Sequence, residues 1–231
     1  MPIPSDLTIY SDRPWLFSPA PDEVAALFAD APLRVLPAGS RMSFGSAREV
    51  HWVKDGLFAT YAGFRGEFRL MTGLFGPGAL LGAVKAFTHP GRRMELRLRA
   101  VADTTIATMD AVRFRQILAE SDGLRDQVFR YLLVMHERQL DGLLMAEYLP
   151  LADRLALLIA TLYDVAGVPL SPILTPVPYP VTASDLAVML HSERASVSRV
   201  LSNWRKHDAF RREGRTLLFT ASILPTPVKA A

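Results

Sequence analysis

The period of the apolar positions changes along the chain, and each change marks a different kind of element. Val24 to Ala29 fits a short amphipathic helix. From about Arg34 to Met109, apolar and β-branched runs alternate with glycines: VHWVKDG, LFATYAG, GEFRLMTGLFGPG and ELRLRAVADTTIATM. Such runs predict antiparallel strands and turns. Several of them, without helices between, predict a small β-roll or sandwich. Ala62-Gly63-Phe64-Arg65-Gly66 fits a hairpin tip, and Gly76-Pro77-Gly78 a tight turn.

After Asp110 the period lengthens. Val112–Leu118 predicts one short helix and Asp122–Glu147 a long one, with Asp122 as N-cap. Leu124, Val128, Tyr131, Leu132, Met135, Gln139 and Gly142 follow three-to-four spacing, and Leu140, Leu143 and Leu144 widen the apolar surface. A helix apolar on two sides buries one against its own domain and the other against a partner. The seven residues from Leu124 to Gly142 are therefore assigned to a dimer seam, because a small β-roll offers little surface to cover both faces. Tyr148-Leu149-Pro150 interrupts the pattern as a hinge, and Leu151–Val165 predicts another helix. GVPLSPILTPVPYP, with five prolines in 14 residues, reads as a stiff connector with an edge strand.

Thr182 to Lys206, TASDLAVMLHSERASVSRVLSNWRK, is the most informative stretch. It predicts two helices joined by a tight turn. Leu186, Ala187, Leu190, Val197 and Val200 fit the small core of a helix-turn-helix, with Ala187 small where the helices cross. Thr182 and Asp185 fit a capping box, and Ser192 is placed to cap the second helix. The turn position that favours glycine carries His191, which tolerates a left-handed conformation better than a β-branched residue does. Arg194, Ser196, Ser198, Arg199 and Asn203 are left on the outside of the second helix, as a major-groove reader requires. AFRREGRTLLFT then predicts a hairpin with Glu213-Gly214 at its tip and Arg211, Arg212 and Arg215 around it, a wing able to contact phosphates.

Charge sharpens this reading. The 231 residues are 50% hydrophobic and 21% charged, with a net charge of +3, ordinary for a globular protein. The distribution is uneven: residues 182–231 hold eight Lys/Arg against four Asp/Glu, leaving 18 against 19 in residues 1–181. The cationic excess falls on the helix-turn-helix segment, where phosphate neutralisation would need it.

Other chemistries find little support. With no cysteine, disulfides, thiolate zinc sites and cysteine-ligated iron–sulfur clusters are excluded. The five histidines are scattered, at 51, 89, 136, 191 and 207, unlike the clustered ligands of a metal-binding cupin. No P-loop, GxGxxG or GxSxG element is present, and no enzyme is expected. MPIPSDLTIYSDRP lacks the pattern of a signal peptide, and LALLIATLY is too short to span a bilayer, so a cytoplasmic protein without membrane contact is expected.

The order of elements resembles the cyclic-AMP receptor protein/fumarate–nitrate regulator (CRP/FNR) superfamily of bacterial transcription factors. The resemblance covers nearly the whole chain. It rests on LPAGSRM at 36–42, LFGPGALLG at 74–82, RAVADTTIATMDAVRF at 99–114 and, above all, TASDLAVMLHSERASVSRVLSNW. It implies an α+β chain in three parts. A cyclic-nucleotide-binding-like β-roll, that is a double-stranded β-helix or jelly roll, spans 1–121. A dimerisation helix and hinge span 122–149, and a winged helix-turn-helix spans 150–231.

The resemblance implies a homodimer that binds an inverted repeat in double-stranded DNA, with RNA polymerase as a further partner. Arg194 and Arg199 fall on base- and phosphate-contacting positions, with Ser196, Ser198 and Asn203 beside them. Thr182, Ser192, Lys206, Arg211, Arg212 and Arg215 would mainly hold phosphates. Ala195 stands where many members carry a glutamate that reads a cytosine.

The sensor half departs from the pattern. Members that bind cyclic nucleotides hold the ribose with the glutamate of a Gly-Glu-Leu turn, where this chain has Gly82-Ala83-Val84. Arg92 or Arg93 could supply the phosphate-binding arginine, but Met94 and Glu95 follow where a small residue is expected. A polar ligand group buried without its partner costs about 1–3 kcal/mol. Cyclic AMP is therefore expected to bind weakly or not at all. Another, unidentified small-molecule effector would occupy the roll, or the roll is mainly structural and dimerising. The competing class is a ligand-sensing or interaction module whose helix-turn-helix serves protein contacts.

Overall fold

In the computed structural model, residues 13–17, 19–43, 48–64, 67–87 and 95–224 are described. The chain divides into two compact units: Trp15–Gly142, and Leu143–Ala231 together with Met1–Pro14. The division falls inside the long helix, so most of that helix belongs with the roll rather than standing apart.

The first unit is a two-sheet roll. One sheet has the order β1-β6-β5-β8-β3, from β1 (Leu16–Phe17), β3 (Arg41–Ser43), β5 (Phe58–Phe64), β6 (Glu67–Phe75) and β8 (Glu95–Ala100). The other has the order β2-β9-β4-β7, from β2 (Leu33–Leu36), β4 (Glu49–Asp55), β7 (Leu80–Leu81) and β9 (Thr104–Asp110). Strand alternation sorts the side chains into two cores. Phe58, Leu98 and Ala100 of the first sheet meet Val53, Leu81 and Ile106 of the second. On the second sheet's other face, Val50, Leu80, Ala107 and Met109 receive the helices α1 (Asp22–Ala26), α2 (Ala83–Phe87), α3 (Ala111–Glu120) and α4 (Asp122–Tyr148). The short helix α2 interrupts a strand region expected to contain none. Gly76–Gly78 forms the expected turn, closed by Ala79 N–H to Gly76 O at 3.1 Å. The β5–β6 hairpin is formed with Phe64 opposite Glu67, and its tip, Arg65-Gly66, lies outside the described residues.

Helix α4 corrects two expectations. Its cap is Ser121, whose hydroxyl accepts from Leu124 N–H at 3.4 Å, while Asp122 sits in the first turn. The residues assigned to a dimer seam mostly face their own roll. Val128 and Tyr131 are buried in its core, with Leu124, Leu132 and Met135 packed against it. The Tyr131 hydroxyl accepts from Leu80 N–H at 2.9 Å, and burial pushes its pKa up to about 12. Gly142 is covered as well: a Cβ there would overlap the Trp15 indole. Gln139 is half-buried. The roll supplies this cover because helices α1–α3 extend its apolar surface, which strand patterns alone did not indicate. The exposed side of α4 carries Phe129 (61% exposed), Leu133 (48%) and Leu140 (40%) instead.

Residues Trp15–Phe17 are an unanticipated part of the roll. Strand β1 runs parallel to β6, with Leu74 N–H donating to Trp15 O at 2.7 Å. Trp15 has φ 70 and is buried. Phe17 packs edge-on against Phe75 and fills the space over Gly73.

The second unit is built on α5 (Leu151–Val165), which begins after Pro150 at the interruption the sequence marked. Leu155, Leu158, Ile159 and Leu162 are fully buried. The proline-rich connector leads to β10 (Thr175–Pro176), an edge strand of the sheet β10-β12-β11 with β11 (Phe210–Glu213) and β12 (Thr216–Phe219). Between connector and hairpin lie α6 (Ala183–Met189) and α7 (Arg194–Lys206).

Candidate nucleic-acid interface

The entry to α6 is the predicted capping box. Thr182 Oγ1 accepts from Asp185 N–H at 3.2 Å, and Thr182 N–H donates to Asp185 Oδ2 at 2.9 Å. The exit is a full Schellman motif. His191 N–H donates to Val188 O at 3.2 Å, and Ser192 N–H to Ala187 O at 2.9 Å. His191 occupies the left-handed position with φ 48, where glycine is usual. This overturns the capping role given to Ser192. Its backbone closes α6, so Glu193 becomes the N-cap of α7, without a side-chain bond. Leu186, Ala187, Leu190 and Val197 form the expected core, but Leu201 is buried in it while Val200 is only half-buried. Arg154 of α5 braces the turn, Nη1 donating to Leu190 O at 3.3 Å, and desolvation lowers its pKa.

The hairpin forms with Glu213 paired to Thr216, so its tip is Gly214-Arg215, one residue later than expected. Gly214 has φ 58. Phe210 and Phe219 lie 5.0 Å apart, and Trp204 of α7 meets Phe219 edge-on at 6.1 Å. These rings fix the hairpin beside α7.

Between α7, the start of α6 and the hairpin lies a groove of about 430 Å³. Among the described residues, four arginines line it, Arg194, Arg205, Arg212 and Arg215, and no carboxylate does. Thr182 and Ser198 line it too, as do Ser184 and Ser202. The structure thus gathers Thr182, Arg194, Ser198, Arg212 and Arg215 from the residues singled out in the sequence.

Others lie elsewhere. Arg211 pairs with buried Leu218, on the opposite side of β11 from Arg212, and does not line the groove. Ser196 is half-buried and accepts from Arg199 Nη2 at 3.0 Å. Arg199, Asn203 and Lys206 are exposed on α7 outside the groove. Arg205 was missed by sequence reasoning. Its guanidinium lies 5.6 Å from the Phe210 ring centre. The signal was available: Arg194, Ser198 and Arg205 recur at helical spacing on one side of α7.

Of the sensor-side residues, Gly82 and Ala83 are described. Gly82 adopts φ 81 at the turn into α2, and Ala83 is buried in the helix-covered core rather than turned toward a ligand space. Arg92 and Arg93 lie outside the described residues. Among the described residues, no group of three or more histidine or acidic side chains could hold a metal, and no helix is long and apolar enough to cross a membrane.

Solved structures of this architecture span nearly the full chain. CLP, the c-di-GMP-responsive global regulator of Xanthomonas campestris, superposes with a TM-score of 0.67 at 18% identity, over 87% of this chain and 99% of that one. FixK2 from Bradyrhizobium japonicum gives 0.67 at 14%, over 86% and 99%. This chain has the CRP/FNR fold. A CRP/FNR-family transcriptional regulator from Eubacterium rectale gives 0.66 at 15%, over 85% of this chain and 89% of that one. No protein family's sequence profile matches the chain, and no curated protein is significantly similar to it. At such identities the CRP/FNR likeness concerns the fold. What this chain does rests on its own residues.

Proposed function

We propose that this chain is a homodimeric, sequence-specific DNA-binding transcriptional regulator of the bacterial cytoplasm. The observation that carries the reading is the groove holding Arg194, Arg205, Arg212 and Arg215 without a carboxylate, beside a helix whose free face bears Arg199 and Lys206. Four guanidinium groups beside one concave surface favour a polyanion, and α7 has the exposure that major-groove entry requires. The likeness to CLP and FixK2 supports the same reading.

The dimer forms on the outward side of α4. Phe129, Leu133, His136 and Leu140 recur at spacings of four, three and four, the period of a coiled-coil seam. Two such chains would present two copies of α7 to an inverted repeat. Cyclic AMP is not the controlling ligand, because the position of the ribose acceptor is occupied by buried Ala83.

Genomic fragments captured by the purified full-length protein test this, followed by footprinting. The expected result is two protected half-sites about one helical turn apart in an inverted repeat. Retardation of every duplex alike, with no footprint, would overturn sequence-specific regulation.

A further inference from the structure

The free side of α7 presents a methyl group near its start. Successive helix residues are rotated by about 100°. Val197 and Leu201 mark the inward side, and Arg194, Ser198 and Arg205 flank it toward the groove. Ala195, Arg199 and Lys206 therefore run along the side facing away from the core, and all three are exposed. Ala195 lies in the first turn, the end of a recognition helix that meets base edges.

The chemistry of that position is restrictive. A methyl neither donates nor accepts a hydrogen bond, so it reads DNA by apolar contact. The thymine C5-methyl is the apolar group that major-groove edges offer. A polar base edge set against Ala195 would lose water without gaining a partner. Resting on the regulator reading above, we infer that Ala195 specifies a thymine in each half-site by methyl–methyl contact, while Arg199 supplies the neighbouring polar contact.

The experiment begins with duplexes selected from a random pool by the full-length protein. An inverted repeat with one fixed thymine in each half-site is expected. Replacing that thymine by uracil removes only its methyl and should weaken binding about fourfold per half-site, the worth of one buried methyl. Ala195→Gly, with its fold checked by circular dichroism, should bind the thymine and uracil duplexes equally. Arg199→Ala should keep their ratio while losing affinity. The uracil comparison on the unaltered protein stands alone if the glycine variant does not fold. If uracil is tolerated at every half-site thymine, or the glycine variant still discriminates, the Ala195 assignment is overturned while the regulator reading stands. If no repeat is enriched, both fall.

Discussion

Helices α4 and α7 each bury one side in their own unit and leave the other uncovered, but the uncovered sides differ in kind. That of α4 shows Phe129, Leu133 and Leu140; that of α7 shows Arg199 and Lys206. Exposed apolar side chains at coiled-coil spacing gain by leaving water and call for a similar surface. Exposed cations gain at a polyanion, either by displacing counterions at phosphates, as Lys206 would, or by contacting base edges, as Arg199 would. In the proposed regulator the chemistry of the free side, not the amphipathic period common to both helices, would select the partner. The two associations should also respond differently to salt: the α4 contact weakly, the α7 contact steeply.

The largest test of the contrast is Leu133→Glu. In the proposed dimer each Leu133, 48% exposed in the single chain, would bury its remaining half for about 1 kcal/mol, and paired carboxylates in the seam would add repulsion. Sedimentation should show monomers at concentrations where the unaltered chain is dimeric, with loss of operator binding. An unaltered dimer would remove the outward side of α4 from the interface.

Next are two glycines of α4 with opposite expected signs. Gly142→Ala forces a methyl into the Trp15 indole and should destabilise by about 1–3 kcal/mol. Gly123 has open space around its Cβ position, so Gly123→Ala should stabilise by up to about 1 kcal/mol. Denaturant midpoints decide it; equal shifts would mean that Trp15 does not rest on the helix.

On α7 and the wing, the distinction lies between groove and free side. Arg212→Ala should weaken specific and random DNA alike and reduce the salt slope by about one. Arg199→Ala should cost about 1–3 kcal/mol on the operator and little on random DNA. Titrations at several salt concentrations would expose an exchange of these roles.

The smallest expected effect is that of His51, away from both free sides. Desolvation lowers its pKa from the ordinary 6.5, outweighing Glu49, and its Nδ1 lies 3.0 Å from Thr108 Oγ1. The folded state therefore prefers the neutral ring. Its contribution is complete above pH 6.5 and is lost as pH falls from there through the lowered folded-state value. His51→Gln should flatten the acid limb of stability without changing the DNA salt slope. A limb that keeps its shape would assign it to other groups.

Much of this was legible because it is local. The Thr182–Asp185 box, the left-handed His191 and the break at Pro150 each involve groups a few residues apart, whose hydrogen bonds and torsions the sequence specifies directly. Helix α5 begins and ends at the predicted residues for the same reason. Local pattern also misled. Ser192 is a good N-cap type, but its backbone was already committed to closing α6.

By itself, then, the sequence determined the order of elements, the helix-turn-helix and the cationic excess around it. Only the tertiary structure decided which side of α4 the roll covers, that Trp15 occupies the space over Gly142, and that Arg205 joins Arg212 in the groove while Arg211 does not. The reason is physical. A helix with two apolar stripes has the same period whichever stripe is buried, and neighbouring strand residues differ only in which side of the sheet they face. Both choices are made by surfaces contributed from distant parts of the chain.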